Sequence, residues 1–561
     1  MKKFFVSVVI AALFVGFTSC KDDNTDENGD VVLAGVTLEG TKSVLNIDET
    51  LDLTVKYFPA DATHKDLEWT SSNEAVAMVE NGKVTALSEG SAAITAVSVK
   101  NNEVSDTYSI TVLPKDVEVT ILTVEGAQTG VWPKDAIVYV VDQIWVEKGA
   151  KLTVEEGVTI IMKDGPVGTS GAPVEFYVDG SLYLRGTTEK PVLVTVEHAL
   201  RTEANRYAGL WGGFVGGNDF SEMLFDNVIV EYTGALCGVG SQSVINGLNV
   251  ADKDQTAQIL TNNPSGNIVV INSTFRYANS DALYFMGGNA IVANNIIHTI
   301  GENDNDGINM KAGVKVDIAF NLCFSVNSNA LKLSSSGQGP GRDQALIRAY
   351  NNTIVNSGWR RTKNLKGGSI FLEQGALASV YNNLIVNSKL MLKTPSLNNP
   401  TFNKGGCDHN SFVGYNFYAS GSQQLTNPTL LTIDGVTLTT AFAGYTYADE
   451  DYWHDWDNYP ANYPKIDQTS LVATAAGTPN PNFVNFPFNS VPLDRDLFDA
   501  SWDFHVNAGS PVLVGAEGKE PKSAPFTSEF VPYFGTTGLM IDGKMYTTPA
   551  PKAQYGAFGT K

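Results

Sequence analysis

Cysteine is scarce in this chain. Cys20, Cys237, Cys323 and Cys407 are the four cysteines among 561 residues. They are too few and too scattered for a disulfide framework or a zinc site, although a bridge between two of them stays open. Positive charge is also short. Lys and Arg number 38 against 60 Asp and Glu, a net charge of −22. That balance excludes nucleic acid and an anionic membrane surface as partners, because both are bound through basic patches. The apolar run at residues 4–17 is too short to span a bilayer stably. What is missing from the middle of the chain is room for helices.

What is there instead is a repeat. Between residues 268 and 393 one pattern returns five times, as VVINSTF, IVANNII, IAFNLCF, RAYNNTI and SVYNNLI. Its second polar positions, Ser273, Asn295, Asn321, Asn352 and Asn383, are spaced by 22, 26, 31 and 31 residues, a period that signals a solenoid. A second pattern runs in step: SDALYF (280–285), NDGINM (305–310), SNALKL (328–333) and GGSIFL (367–372). Strands this short bury an apolar face only if the next coil stacks about 4.8 Å away and pairs with it in parallel. The Asn side chains then lie above one another at one sharp turn. This resembles the asparagine ladder of right-handed parallel β-helix, pectate-lyase-like proteins. Asn227, 46 residues before Ser273, is expected in the same register.

At the N-terminus Lys2 and Lys3 precede the apolar run, which ends in FTSC at Cys20 and matches a secretory signal peptide. The segment resembles a bacterial lipobox followed by the acidic export tag of Bacteroidetes surface lipoproteins. That resemblance implies a signal peptide at 1–19, an acylated Cys20, a tether at 20–32 and anchoring in the outer membrane at the cell surface. Residues 33–114 alternate in short runs, as an all-β sandwich requires. Residues 67–96, with Trp69, Val76, Val79, Val84, Ala86, Gly90 and Ile94 at the pattern positions, resemble the bacterial Ig-like domain of group 2. Asn81-Gly82 marks a tight hairpin there.

From residue 117 the pattern changes to strand, glycine turn, strand. Residues 143–165, 178–197, 207–217 and 226–235 resemble the opening coils of β-helix lipoproteins, and Trp211 reads as coil-edge packing. PNFVNFP (481–487) and WDFHVNAGSPVLVGA (502–516) resemble the closing motif of such proteins, with a structural His505 in the last coil. The expected architecture is all-β: an Ig-like sandwich, then a right-handed parallel β-helix over 117–520, with 521–561 as a tail packed on the helix.

Alternation along the four aligned strands places Leu283, Ile308, Leu331 and Ile370 inward, and Tyr284, Asn309, Lys332 and Phe371 outward. Beside the outward lane lie Met286, Lys311, Ser334 and Glu373. The resemblance implies that this sheet carries the active-site groove, flanked by the long polar loops 301–306, 334–344 and 356–368.

Three chemistries compete for it. A polysaccharide lyase needs cations for a uronate carboxylate and a base for the adjacent proton, which Lys311 and Lys332 supply, with Arg342, Arg348, Arg360 and Arg361 near them in sequence. A glycoside hydrolase needs paired carboxylates, and Asp281 and Asp306 hold equivalent places on adjacent coils. The Asp, Asp-Asp, Gly-His-Gly set of β-helix polygalacturonases is not present, and no lyase signature covers these positions. A non-catalytic adhesin needs aromatic platforms, for which Tyr284, Phe371 and Trp359 are placed. The expected partner is a polysaccharide or other glycan. Asp449, Glu450, Asp451, Asp455 and Asp457 in an aromatic acidic run are the candidate Ca²⁺ ligands.

Overall fold

The computed structural model describes residues 30–115, 119–302, 304–361, 367–393, 407–408, 410–422, 432–433, 436–437, 469–472 and 479–561. The chain divides into two compact units, 1–118 and 119–561. Cys20, the signal and tether segments before residue 30, and the candidate Ca²⁺ ligands at 449–457 lie outside the described residues.

The first unit is a β-sandwich. Gly90–Ser98 and Ser105–Leu113 pair antiparallel along their length, and Ala77–Glu80 pairs with Lys83–Ala86. Asn81 and Gly82 take positive φ angles of 51° and 83°, the geometry a two-residue hairpin turn needs. Leu45, Val84, Ala86, Ile94 and Ile110 form the core, with Trp69 packed against it.

The second unit is a parallel β-helix built from three ladders of short strands. In the first, Ile144–Val146 continues through residues 176–178, 214–216, 259–261, 283–285, 308–310, 331–333 and 370–372. The second is a ten-stranded parallel sheet from Gly130–Trp132 to Phe412–Gly414. The third runs from residues 121–124 and 137–140 through Thr159–Met162 to Leu471–Val472. Inward side chains such as Leu283, Phe285, Ile308, Met310, Leu331 and Leu333 are fully buried in one continuous core, which is what parallel stacking of alternating strands requires.

The turn between the second and third ladders explains the Asn-Asn pairs. The first member takes a left-handed conformation: φ is 59° at Asn294, 50° at Asn351 and 56° at Asn382, a region Asn tolerates better than most residues. Its side chain faces away from the core, so Asn351 donates to the Gln554 carbonyl and Asn382 to those of Lys522 and Lys552. The second member forms the ladder. Asn295, Asn321, Asn352 and Asn383 each use Oδ1 or Nδ2 to bond the equivalent residue one coil away at 2.9–3.0 Å. The ladder continues to Asn416 and ends on Ser470 Oγ. Asn227 is one position off: it holds the left-handed site, with φ of 54°, and Val228 N donates to Ser273 Oγ.

The outer faces of the second and third ladders are covered by the chain's own C-terminal part. Phe483, Phe486, Phe488, Phe504 and Val512 lie on the third ladder. There Phe483–Asn485 and Asp503–Val506 pair antiparallel with each other. Residues 481–516 are therefore an outer layer rather than the last coil, and the ladder strands end at Val472 among the described residues. Phe530, Phe534, Leu539 and Ile541 cover the second ladder. Asp317 fixes that layer by accepting from Tyr533 N, Phe534 N and Thr548 Oγ1 at 2.7–2.9 Å.

Candidate functional site

Among the described residues, the outer face of the first ladder is the one this layer does not cover. Register places one outward lane along it: Trp145, Tyr177, Val215, Leu260, Tyr284, Asn309, Lys332, Phe371 and Lys393. Its first part is aromatic and apolar, with Tyr177, Val215, Ala257 and Leu260 clustered and Trp145, Leu248, Tyr284 and Met286 packed beside them. Its later part is charged.

A wall rises along one side of the lane, formed by residues 236–256 with the short helix Gln242–Ile245. A buried carboxylate fixes this wall. Glu175 accepts from Ser243 N at 2.7 Å and from Ser243 Oγ and Thr256 Oγ1 at 2.6 Å. A buried charge is tolerable only with such partners. Cys237 lies in the same cluster as a buried thiol, and burial raises its pKa.

Three adjoining depressions lie between wall and lane. The first, of about 260 Å³, is lined by Trp145, Tyr177, Glu147, Asp179, Gln242 and Asn246. The second, of about 360 Å³, shares Asn246 and has Leu248, Tyr284 and Met286 around Lys311 and Arg342. The third, of about 450 Å³, shares Leu248, Tyr284 and Met286 and adds Lys253, Asp254, Asp281 and Asp304. The second carries cations and amides and no carboxylate among its described lining.

The two candidate carboxylates form a stair between coils. Asp281 Oδ1 accepts from Asp306 N at 2.6 Å, and Asp306 Oδ1 accepts from Asn329 N at 2.9 Å and Asn329 Nδ2 at 2.7 Å. Asn309 Nδ2 reaches the other oxygen of each, at 2.8 and 3.2 Å, and Lys332 Nζ stands 3.5 Å from Asp306 Oδ2. Asp281 and Asp306 are 9% and 3% exposed. Burial, then the Asp306 charge, pushes the Asp281 carboxyl up to about 7. In Asp306 burial works the same way, but the Lys332 ammonium and the bonds from Asn329 outweigh it and hold the carboxyl below its usual range. The Asp306 charge in turn raises Lys332. Burial, followed by the Lys332 charge, lowers Lys311 to about 8. Burial, then Asp281, raises Tyr284 to about 12.

Several sequence-expected residues stand elsewhere. Arg348 belongs to the second ladder, where its guanidinium lies 4.3 Å from the Tyr533 ring centre and bonds Ser379 Oγ, under the C-terminal layer. Trp359 is buried with Nε1 donating to the Asn387 carbonyl at 2.6 Å, so it offers no platform. Arg360 donates to the carbonyls of Ile300, Gly301 and Ser325, closing a turn. Arg361 contacts Asp304 and Ser328 at the rim of the third depression. Phe371 is on the lane but only 6% exposed, with the Lys393 ammonium 4.4 Å from its ring centre. Glu373 is buried beside it. Arg342 does reach the groove, where it bonds the Met286 carbonyl and Asn262 and so ties the 334–344 loop across two coils. No group of three or more His, Cys, Asp or Glu residues suited to a metal occurs among the described residues.

Sequence reasoning missed Trp145, Tyr177, Asn246 and Asn262. The signal was present: IWVE, FYVD, FVGG and ILTN repeat the inward–outward alternation of LYFM and INMK.

The bacterial Ig-like domain (group 2) model matches residues 32–108. A stretch of 117 residues is 32% identical to an uncharacterised protein of Clostridium acetobutylicum, covering 20% of this chain and 12% of that protein. Another, of 95 residues, is 37% identical to the 3-O-alpha-D-galactosyl-alpha-L-arabinofuranosidase of Bifidobacterium longum subsp. longum, covering 16% of this chain and 8% of that enzyme. The chain thus spans about a tenth of the length of these curated relatives.

Proposed function

We propose that this protein is a lipid-anchored surface protein that holds an extended polysaccharide bearing acidic residues along the open face of its first ladder. One observation carries the reading. Among the described residues, two outer faces of the helix are sealed by the C-terminal layer, whereas the third keeps the half-buried rings of Trp145 and Tyr284, a fixed wall and a cationic depression. Aromatic rings offer sugar rings a flat apolar surface. The Lys311 ammonium offers a carboxylate its counter-charge. The Ig-like domain and the glycosidase name of one partial relative agree with a carbohydrate-related surface role. Anchoring through Cys20 in the outer membrane rests on the sequence of residues 2–23. It predicts that Cys20→Ala releases the protein from membranes and abolishes its labelling by fatty acid.

A second reading, cleavage of the bound chain by β-elimination, is favoured by the lowered pKa of Lys311 beside the charged Lys332. A neutral Lys311 Nζ takes the proton from the carbon that bears the uronate carboxylate, that electron pair forms a double bond to the adjacent ring carbon as its bond to the glycosidic oxygen breaks, and the oxygen takes a proton from water as it leaves. Hydrolysis by Asp281 and Asp306 is less well supported, because their oxygens are engaged in bonds between coils. The test incubates the chain from Val31 onward with uronate-containing and neutral polysaccharides. Retarded migration in glycan-containing gels supports binding; new absorbance of unsaturated uronate supports elimination. Reducing ends without that absorbance support hydrolysis, and no retardation by any glycan contradicts the proposal.

A further inference from the structure

We infer that the Lys311 depression takes the end of an acidic glycan chain and not a stretch from its interior. This rests on the glycan-binding reading and adds which part of the chain the groove receives.

Burial along the outward lane is uneven. A side chain that points out from a sheet face stays wet unless something lies over it. Tyr177, Val215 and Leu260 point outward by register, yet they are 5%, 0% and 2% exposed. Their cover is the wall, whose Leu248 packs on the cluster they form with Ala257. The wall is rooted on the side where the chain enters these strands, with Thr256 Oγ1 bonded to Glu175. It reaches the side where the chain leaves them, and there Asn218 Nδ2 donates to the Asn246 carbonyl at 3.5 Å. The segment therefore roofs the lane over three successive coils as well as flanking it.

The lane reopens at Tyr284, and the Lys311 depression begins against the roof. Asn246, Gly247 and Leu248 line it together with Tyr284, Met286 and Lys311. A second barrier closes its side. Arg342 bonds the Met286 carbonyl and Asn262, and Asn262 Nδ2 donates to Asn218 Oδ1, so the 334–344 loop is joined through these amides to the roof. Arg342 is occupied by those bonds, which makes Lys311 the cation that meets a ligand. Further along, Phe371 and Lys393, the outward residues that follow Lys332, are buried. The space left is about 360 Å³, at the small end of ligand pockets, which run from about 300 to 1,000 Å³.

A glycan lying along the helix cannot run from Tyr284 under the roof without lifting Leu248 off its apolar cluster, and Trp145 stands beyond that roof as a separate surface. A chain terminus meets no such obstacle. Its last sugars sit against Tyr284 with an acidic group on the Lys311 ammonium, and the remainder leaves toward solvent.

The test counts proteins per glycan chain. An interior epitope repeats along a polymer and makes it multivalent, whereas an end occurs once or twice however long the chain is, so size classes of about ten and about a hundred sugars separate the two. The protein from residue 21 to 561 is mixed in excess with polygalacturonate and, separately, with hyaluronan of each size, and sedimentation reads the mass of the complex. The inference predicts at most two proteins per chain at both lengths. It also predicts that Lys311→Ala weakens binding at both lengths about tenfold, as loss of a central charged anchor does. A count that rises with chain length overturns the inference while glycan binding stands. Binding unchanged in Lys311→Ala overturns it likewise, because the counted sites then lie elsewhere. Absence of a complex with either glycan at either size overturns the inference together with the reading beneath it. Thermal unfolding of Lys311→Ala near the parent temperature separates a lost contact from misfolding.

Discussion

Lys311 Nζ stands 5.4 Å from the centre of the Tyr284 ring on the neighbouring coil. The contact holds an ammonium over an aromatic face at the floor of the groove, where a cation is partly desolvated yet still favourably placed. The same burial lowers its pKa to about 8, so the group is mostly charged at neutral pH and largely neutral one unit above 8.

Binding of an acidic glycan through that ammonium is therefore expected to be present below about pH 8 and to fade as pH rises through it. Lys311→Arg should hold binding to higher pH, because a guanidinium stays charged. Affinity measured from pH 6 to pH 10 on both proteins checks this.

Asp281 gives a pH effect on stability instead. Its folded pKa, about 7, lies above the roughly 3.9 of an unfolded Asp. A raised carboxyl pKa stabilises the folded state fully below the unfolded value, and that contribution disappears as pH rises through the folded one. Unfolding temperature should fall between about pH 4 and pH 7 on this account, and Asp281→Asn, which keeps an acceptor for Asp306 N, should flatten that part of the profile. Calorimetric scans across the window decide it.

The coil stack predicts a large cost at Asn321. Its side chain bonds Asn352 Oδ1 and the Val292 carbonyl and accepts from Asn295 N and Nδ2. Asn321→Ala leaves several buried groups unsatisfied, each worth about 1 kcal/mol or more, for a total of roughly 3 kcal/mol or above. Urea denaturation should register it, with the exposed Asn102→Ala as a control near zero.

Glu175 should behave as the fastening of the groove wall. Glu175→Ala removes the acceptor for Ser243 and Thr256, so amide exchange in residues 237–256 is expected to quicken while the strands 283–285 and 308–310 stay protected. Hydrogen exchange read by mass spectrometry shows either pattern directly.

The ladder and the outward lane were legible in the sequence wherever the fold imposes a period. Asn321 and Asn352 repeat because each must meet its counterpart one coil away, and Tyr284, Asn309 and Lys332 align because parallel register ties one strand to the next. The first part of the lane was harder to see: Trp145, Tyr177, Val215 and Leu260 are separated by 32, 38 and 45 residues, as loops of different length intervene. Arg348, Trp359 and Arg360 were misplaced for a related reason. Nearness in sequence to a groove strand does not say which ladder or turn a side chain joins, and in a three-sided coil a few residues carry the chain around a corner. The seal over the second and third ladders was invisible too, since it depends on contacts such as Asp317 with Tyr533 and Phe534, more than two hundred residues apart in the chain.

The most direct test of the account compares three single-site variants of the chain from residue 21 onward in one glycan-containing gel series. Tyr284→Ala and Lys311→Ala alter the open face, and Lys544→Ala removes an exposed charge on the C-terminal layer. The account predicts that the first two lose retardation by an acidic polysaccharide while Lys544→Ala migrates like the parent. Equal retardation of all three folded variants would contradict it and place the binding surface elsewhere.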